Sequence, residues 1–195
     1  MASERVRLNV IGQVVGASGL GVGSAHCEWR LESGEGWRRV AGEVEGSSQC
    51  DRPVEGDRYQ WHHPVDVTLE GTSGLTTDWP RIEIEVRWRD GNERSDLAGY
   101  AVANVPTEAG VHAVTAQVWK PQGSLMDRIA AFFIGGAPAL KERRLIFGVL
   151  QGGASSQHLA RGVGRERLVT SAGGSVHLSL GVVVQTLPPA DDLAP

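Results

Sequence analysis

Cysteine is scarce in this chain, and long apolar runs are missing. Two cysteines, Cys27 and Cys50, in 195 residues cannot build a disulfide framework. A chain of this length buries on the order of 70% of its unfolded surface and needs none. Both thiols are therefore expected to be free and buried. No stretch approaches the roughly 20 consecutive apolar residues that cross a bilayer, and the opening "MASERVRLNV" has no apolar centre of the secretory type. The expectation is a soluble protein of the cytoplasm. The net charge of −4 argues against a nucleic-acid binder.

Several chemical spacings are also missing. The sequence has no C-x-x-C, no H-x-x-x-H and no G-x-S-x-G, which removes the usual short signatures of a zinc site and of an acyl-transfer serine. His62 and His63 are adjacent, and neighbours on a strand face opposite sides, so they are not expected to share a metal. The glycine-rich stretch "GQVVGASGLGVGSAHCEW" invites a phosphate-loop reading and fails it. A P-loop needs Lys then Ser or Thr after its last glycine, whereas Ser24 and Ala25 follow Gly23. The dinucleotide fingerprint fails at Ser24, where its third glycine belongs. Both motifs must also open a helix, yet Ala25, Cys27, Trp29 and Leu31 alternate with His26, Glu28 and Arg30 as a strand does. The glycines are read as a connection between two antiparallel strands. Calcium is a weaker possibility through Asp90, Asn92 and Asp96 in "DGNERSD". A tight site needs oxygens converging from more than one loop, and residues 16–24 contain no acid.

What is present is glycine, 26 residues of it, recurring between short β-prone runs. This is the texture of an all-β antiparallel two-sheet sandwich, with about eight strands. They are expected at Val6–Val15, Ala25–Leu31, Trp37–Val44, Tyr59–Leu69, Arg81–Asp90, around "LAGYAVANV" and "VHAVTAQVW", and at Ser175–Leu187 after a turn at Gly173-Gly174. Pro64 marks an edge or a bulge in the fourth. In "RIEIEVRWRD", Ile82, Ile84, Val86 and Trp88 point to a core, while Arg81, Glu83, Glu85, Arg87 and Arg89 point to water.

One short inserted helix is expected near 124–134. Ser124 serves as N-cap with Asp127 three residues on; Leu125, Ile129, Phe132 and Phe133 lie on one face, and Gly135-Gly136 form the stop. A weaker helix is read through "ALKERRLIF". Residues 150–164 read as an inserted flexible loop, and 188–195 as a short disordered tail. A single domain over 1–187 is expected.

Charge is uneven. Residues 138–170 carry Lys141, Arg143, Arg144, Arg161, Arg165 and Arg167 against Glu142 and Glu166, whereas the preceding residues carry a net −6. These six bases are the candidates for contact with an acidic partner or an anionic lipid. Aromatic anchors carry much interface energy; Trp79, Phe132 and Phe133 are the candidates for partner binding.

The ordered series "NVIGQVVGASG", "CEW", "WHHPVDV", "WPRIEIEV", "LAGYAVANVP", "VWKPQGS", "FIGGAPAL" and "TSAGGSVHLSLG" resembles the B9-domain family, from about Arg5 to Leu187. The resemblance implies a C2-like sandwich, no catalysis and no cofactor or metal. It implies a structural adaptor at the base of the cilium, in its basal body and transition zone, counted with cytoplasm and cytoskeleton. There it would bridge two sibling B9-domain proteins, within the assembly that includes the Meckel syndrome protein, tectonic-type proteins and transmembrane proteins. That assembly governs cilium formation and the entry of membrane proteins. The alternative is a C2-like membrane or lipid-binding module that recruits cargo.

Overall fold

A computed structural model describes residues 5–54, 56–72, 79–89, 95–121 and 170–188. The chain divides into two compact units, Met1–Val118 with Gly173–Pro195, and Trp119–Ala172. The larger unit holds the core described below. The helix expected near 124–134, the loop 150–164 and, beyond Pro188, the tail 188–195 lie outside the described residues.

Among the described residues there are strands and no helix: β1 (Arg5–Ser18), β2 (Ser24–Glu32), β3 (Arg38–Gly42), β4 (Glu45–Ser47), β5 (Arg58–Thr72), β6 (Arg81–Arg89), β7 (Ser95–Asn104), β8 (Gly110–Pro121) and β9 (Thr170–Leu187). The all-β expectation holds. Eight of these strands match the sequence reading. The ninth, β4, is three residues of Glu-Gly-Ser with no apolar alternation to announce it. The expected division into two sheets is replaced by a single curled sheet in the order β3-β5-β1-β9-β8-β7-β6-β2-β4. The registers of β1 with β5 and β9, of β6 with β2 and β7, and of the short β3 and β4 with β5 and β2 are all antiparallel.

The pleat explains the core. Leu8, Val10 and Val14 of β1, Val65, Val67 and Leu69 of β5, Ile82, Ile84 and Val86 of β6, and Leu178, Leu180 and Val182 of β9 are all buried. They sit at every second position, as the strand period requires. Each such side chain contributes about 1.5–3 kcal/mol on leaving water. Trp61 is fully buried, and its Nε1 donates to Ala25 O at 3.0 Å. This bond ties β5, next to one end of the sheet, to β2, next to the other.

A short segment joins the two ends. β3 pairs with β5 and β4 pairs with β2, yet only Glu43 and Val44 separate them in the chain. Glu43 N donates to Asp66 O of β5 at 3.2 Å, and Leu31 N of β2 donates to Val44 O at 2.6 Å. The segment continues between the same two strands. Ser48 N donates to Cys27 O at 2.9 Å, and Asp51 exchanges two backbone bonds with Ala25 at 2.8 and 2.9 Å. On the β5 side, Gln49 Nε2 donates to Trp61 O at 2.5 Å, and Gln60 N donates to Asp51 Oδ2 at 2.7 Å. Backbone groups along β5 and β2 that would otherwise lack partners are thereby satisfied on both sides.

Other local expectations resolve individually. The bulge foreseen near Pro64 lies two residues earlier: the β1–β5 register shifts between Val14 and Gly16, and His62 takes a φ of +46°. The Gly19–Gly23 bend does not close a hairpin, because β1 and β2 are not neighbours in the sheet; Gly19 and Gly21, at φ +70° and +63°, turn the chain from one part of the sheet to another. Gly173-Gly174 is no turn either. Both residues lie inside β9, and a Cβ on Gly174 would stand 2.3 Å from Ser18 O. Close strand approach selects glycine there.

Gly42 controls the junction. Its φ is +81°, and a Cβ there would lie 2.1 Å from Asp66 O. Gly42→Ala is expected to cost about 2–4 kcal/mol by combining left-handed strain with overpacking. A urea unfolding midpoint that does not move would refute this account of the junction.

Candidate interaction surface

The outward positions of β1, β5 and β3 bring together groups far apart in sequence. Arg5 and Arg7 stand one pleat apart on β1; Glu70 is opposite Arg7 on β5 and opposite Arg38 on β3. Arg7 donates from Nε and Nη2 to Glu70 Oε1 at 3.1 and 2.6 Å. Arg5 Nη2 and Arg38 Nη2 donate to the other oxygen at 3.0 and 2.8 Å. Glu70 is almost wholly covered, while the Arg38 side chain is 72% exposed. The carboxyl is held below its ordinary 4.5, first by the Arg7 hydrogen bonds and then, against the opposing effect of desolvation, by those from Arg5 and Arg38.

The face of β2 and β6 differs. Alternation places Glu83 and Glu85 in water, but both are buried, at 5% and 6% exposure. Their cover includes neighbouring arginines. Arg81 donates to Glu83 Oε1 from Nε and Nη2 at 3.0 and 2.8 Å, and Arg87 Nη1 reaches Glu85 Oε1 at 2.5 Å. Desolvation raises the Glu83 carboxyl, against the pull of Arg81. His26 on the same face is lowered, mainly by burial. These acids are matched locally, each by an adjacent arginine.

Of the residues singled out from sequence for partner binding, Trp79 is described. It is half-buried against the core, its Nε1 donates to Val105 O at 2.8 Å, and its ring meets Trp37 edge-on with centroids 5.4 Å apart. Much of the indole is thus committed to the fold. Phe132, Phe133, Lys141, Arg143, Arg144, Arg161, Arg165 and Arg167 lie outside the described residues, as do Asp90 and Asn92. Asp96 is exposed and caps its own strand by accepting from Leu97 N at 2.7 Å. Among the described residues no group of three or more His, Cys, Asp or Glu converges on a metal position. Cys27 is buried and its thiol pushed up to about 12, chiefly by desolvation; Cys50 is exposed, contrary to the expectation that both would be buried.

One pair has the spacing of a nucleophile and its base: Ser18 Oγ lies 2.9 Å from His177 Nε2. The other ring nitrogen meets Thr115 Oγ1 at 3.4 Å, a hydroxyl and not the carboxylate that would steady an imidazolium. The three side chains tie β1, β9 and β8 together.

The arginine trio escaped sequence reading because it depends on register. Its signal was the pair Arg5 and Arg7 on alternate positions of one strand, opposite Glu70 on the outward face of another. The lowered Glu70 carboxyl contributes stability that is complete above pH 4.5 and is lost as pH falls through its folded value. Glu70→Gln should melt lower than the parent at pH 7, and the two melting temperatures should converge on acidification. A constant gap from pH 7 down to about 3 would remove this linkage. Trp79→Ala should cost about 2–4 kcal/mol by lost packing and the orphaned Val105 carbonyl; unchanged thermal stability would return Trp79 to the surface.

Comparison with known proteins adds an independent line. The family model described as ciliary basal body-associated, B9 protein matches residues 8–183. The chain is 36% identical over 178 residues to B9 domain-containing protein 2 of Rattus norvegicus, covering 91% of this chain and 93% of that one. It is 34% identical over 180 residues to the same protein of Danio rerio, with 91% and 93% covered. Similarity extends to B9 domain-containing protein 1 of Mus musculus, 26% identical over 183 residues, with 92% and 82% covered.

Proposed function

The chain belongs to the ciliary basal body-associated B9 family, and from that premise we propose that it is a non-catalytic adaptor subunit of the ciliary transition zone. The observation that carries the reading is the family match across residues 8–183, which takes in nearly every described strand. In this reading the subunit bridges two sibling B9-domain proteins. Through them it joins tectonic-type and transmembrane proteins, in support of cilium assembly and of the gating of membrane-protein entry. Similarity to B9 domain-containing proteins of two kinds supports a setting in which related B9 folds meet one another.

The physical character of the domain suits such a role. Adaptors need surfaces that keep their shape before the partner arrives, because every side chain ordered on docking costs about 0.5–1.5 kcal/mol. The segment 38–51 occupies both ends of the sheet, so partners are expected at strand faces and loop ends in preference to added strands. In this proposal Phe132 and Phe133 supply apolar contact. Lys141, Arg143, Arg144, Arg161, Arg165 and Arg167 supply weak attraction to an acidic partner or an anionic membrane, at about 1 kcal/mol or less per base.

Co-expression with the two sibling B9-domain proteins, followed by size-exclusion chromatography, tests the reading. Co-elution of all three is expected, with the complex split into unconnected siblings when this chain is omitted. Siblings that associate equally well without it would exclude the bridging role. Tight flotation of the purified chain with liposomes, without any protein partner, would favour the lipid-binding alternative.

A further inference from the structure

We propose that the outer face of β3, β5, β1 and β9 is a docking site for an acidic, extended segment of a partner protein, received by Arg5, Arg7 and Arg38 around Glu70. Three guanidiniums converge on one carboxylate, which leaves a surplus of two positive charges fixed in one place. The chain as a whole carries −4, so this surplus stands against the general field. A fold needing only to neutralise Glu70 would use a single arginine, as Glu83 does with Arg81.

The arrangement is prepared to receive carboxylates. Each guanidinium has five N–H donors; Arg5 and Arg38 each spend one on Glu70, and Arg7 spends two. At least three remain on each for a second carboxylate. Glu70 holds the forks in position beforehand, which reduces the ordering cost on docking. Arginine fits paired carboxylate oxygens in a way lysine does not, and arginines outnumber lysines in this chain by seventeen to two.

The neighbouring rows define the kind of segment. One pleat along from Arg7, Glu70 and Gln185 come Asn9, Thr68 and Val183; the next row is Ile11, Asp66 and Gly181. Ile11 is 56% exposed and Val183 46%. Apolar side chains thus border the arginines on the same face, with Asn9 and Thr68 bonded to each other at 2.9 Å between them. A peptide with acids over the arginines and apolar residues over Ile11 and Val183 matches this face. A bilayer matches it poorly. The groups lie across a strand face and not at protruding tips, and exposed Asp66 would oppose an anionic surface.

The test uses the full chain and a short fluorescein-labelled polyglutamate peptide followed by anisotropy. Saturable binding that weakens with added salt is expected. Arg38→Glu should weaken it by about tenfold or more, and Arg38→Gln by about threefold. Arg58→Gln, an exposed arginine of β5 away from the trio, should leave binding unchanged and so reports on non-specific attraction. Absence of saturable binding by the parent chain overturns the proposal, as does equal loss in Arg58→Gln. Displacement of the peptide by phosphatidylserine vesicles at the same salt would assign the face to membrane. A parent dimer that Arg38→Glu dissolves would assign it to a second copy of this chain.

Discussion

A sheet with two ends must do something with the backbone groups those ends leave open, and here one stretch of chain, residues 38–51, answers for both. β3 lies against β5, β4 lies against β2, and only Glu43 and Val44 intervene. A backbone hydrogen bond contributes about 0.5–1.5 kcal/mol net, but an unpaired buried group costs about 1–3 kcal/mol. The benefit is thus chiefly avoided loss. The same segment brings the apolar faces of β5 and β2 to one core, where Trp61 reaches across to the Ala25 carbonyl. The arginine trio depends on it as well, because Arg38 arrives at Glu70 on β3.

Much of this was legible from residue pattern. Alternation placed Ile82, Ile84 and Val86 in the core, and the glycines at 19–23 marked the break between β1 and β2, although Gly173-Gly174 lies inside β9. What the pattern did not hold was pairing. The order of strands is set by contacts such as Arg5 with Leu187, which no local window contains. β4 was missed because Glu-Gly-Ser has neither period nor β-branching, and its strand character comes from lying against Glu28, Trp29 and Arg30 of β2. Glu83 and Glu85 were placed on the correct face but with the wrong exposure, since the arginines beside them fold over the carboxylates. Trp79 was read as a partner-binding anchor; its ring packing against Trp37 is a tertiary fact.

The two outer faces divide labour by electrostatics. On β2 and β6 acids and arginines meet in matched sets, a self-contained lattice in which buried carboxylates are held by adjacent bases. Around Glu70, on β3, β5 and β1, the match is unequal, with one acid held by three bases. Matched sets at a surface contribute little to association, since exposed pairs are worth about 1 kcal/mol or less. An unequal set fixed in geometry favours partners of one sign and penalises those of the other. Such a face sorts neighbours by the sign of the charge they present.

The placement of β1 between β5 and β9 bears on how the protein is made. β9 starts roughly 150 residues after β1 ends, so at typical synthesis rates of about 5–20 residues per second β1 leaves the ribosome on the order of ten seconds before its second neighbour exists. During that interval one flank of an apolar strand lacks its partner. The order of the strands alone thus makes the last edge of β1 to be paired wait for the far end of the chain.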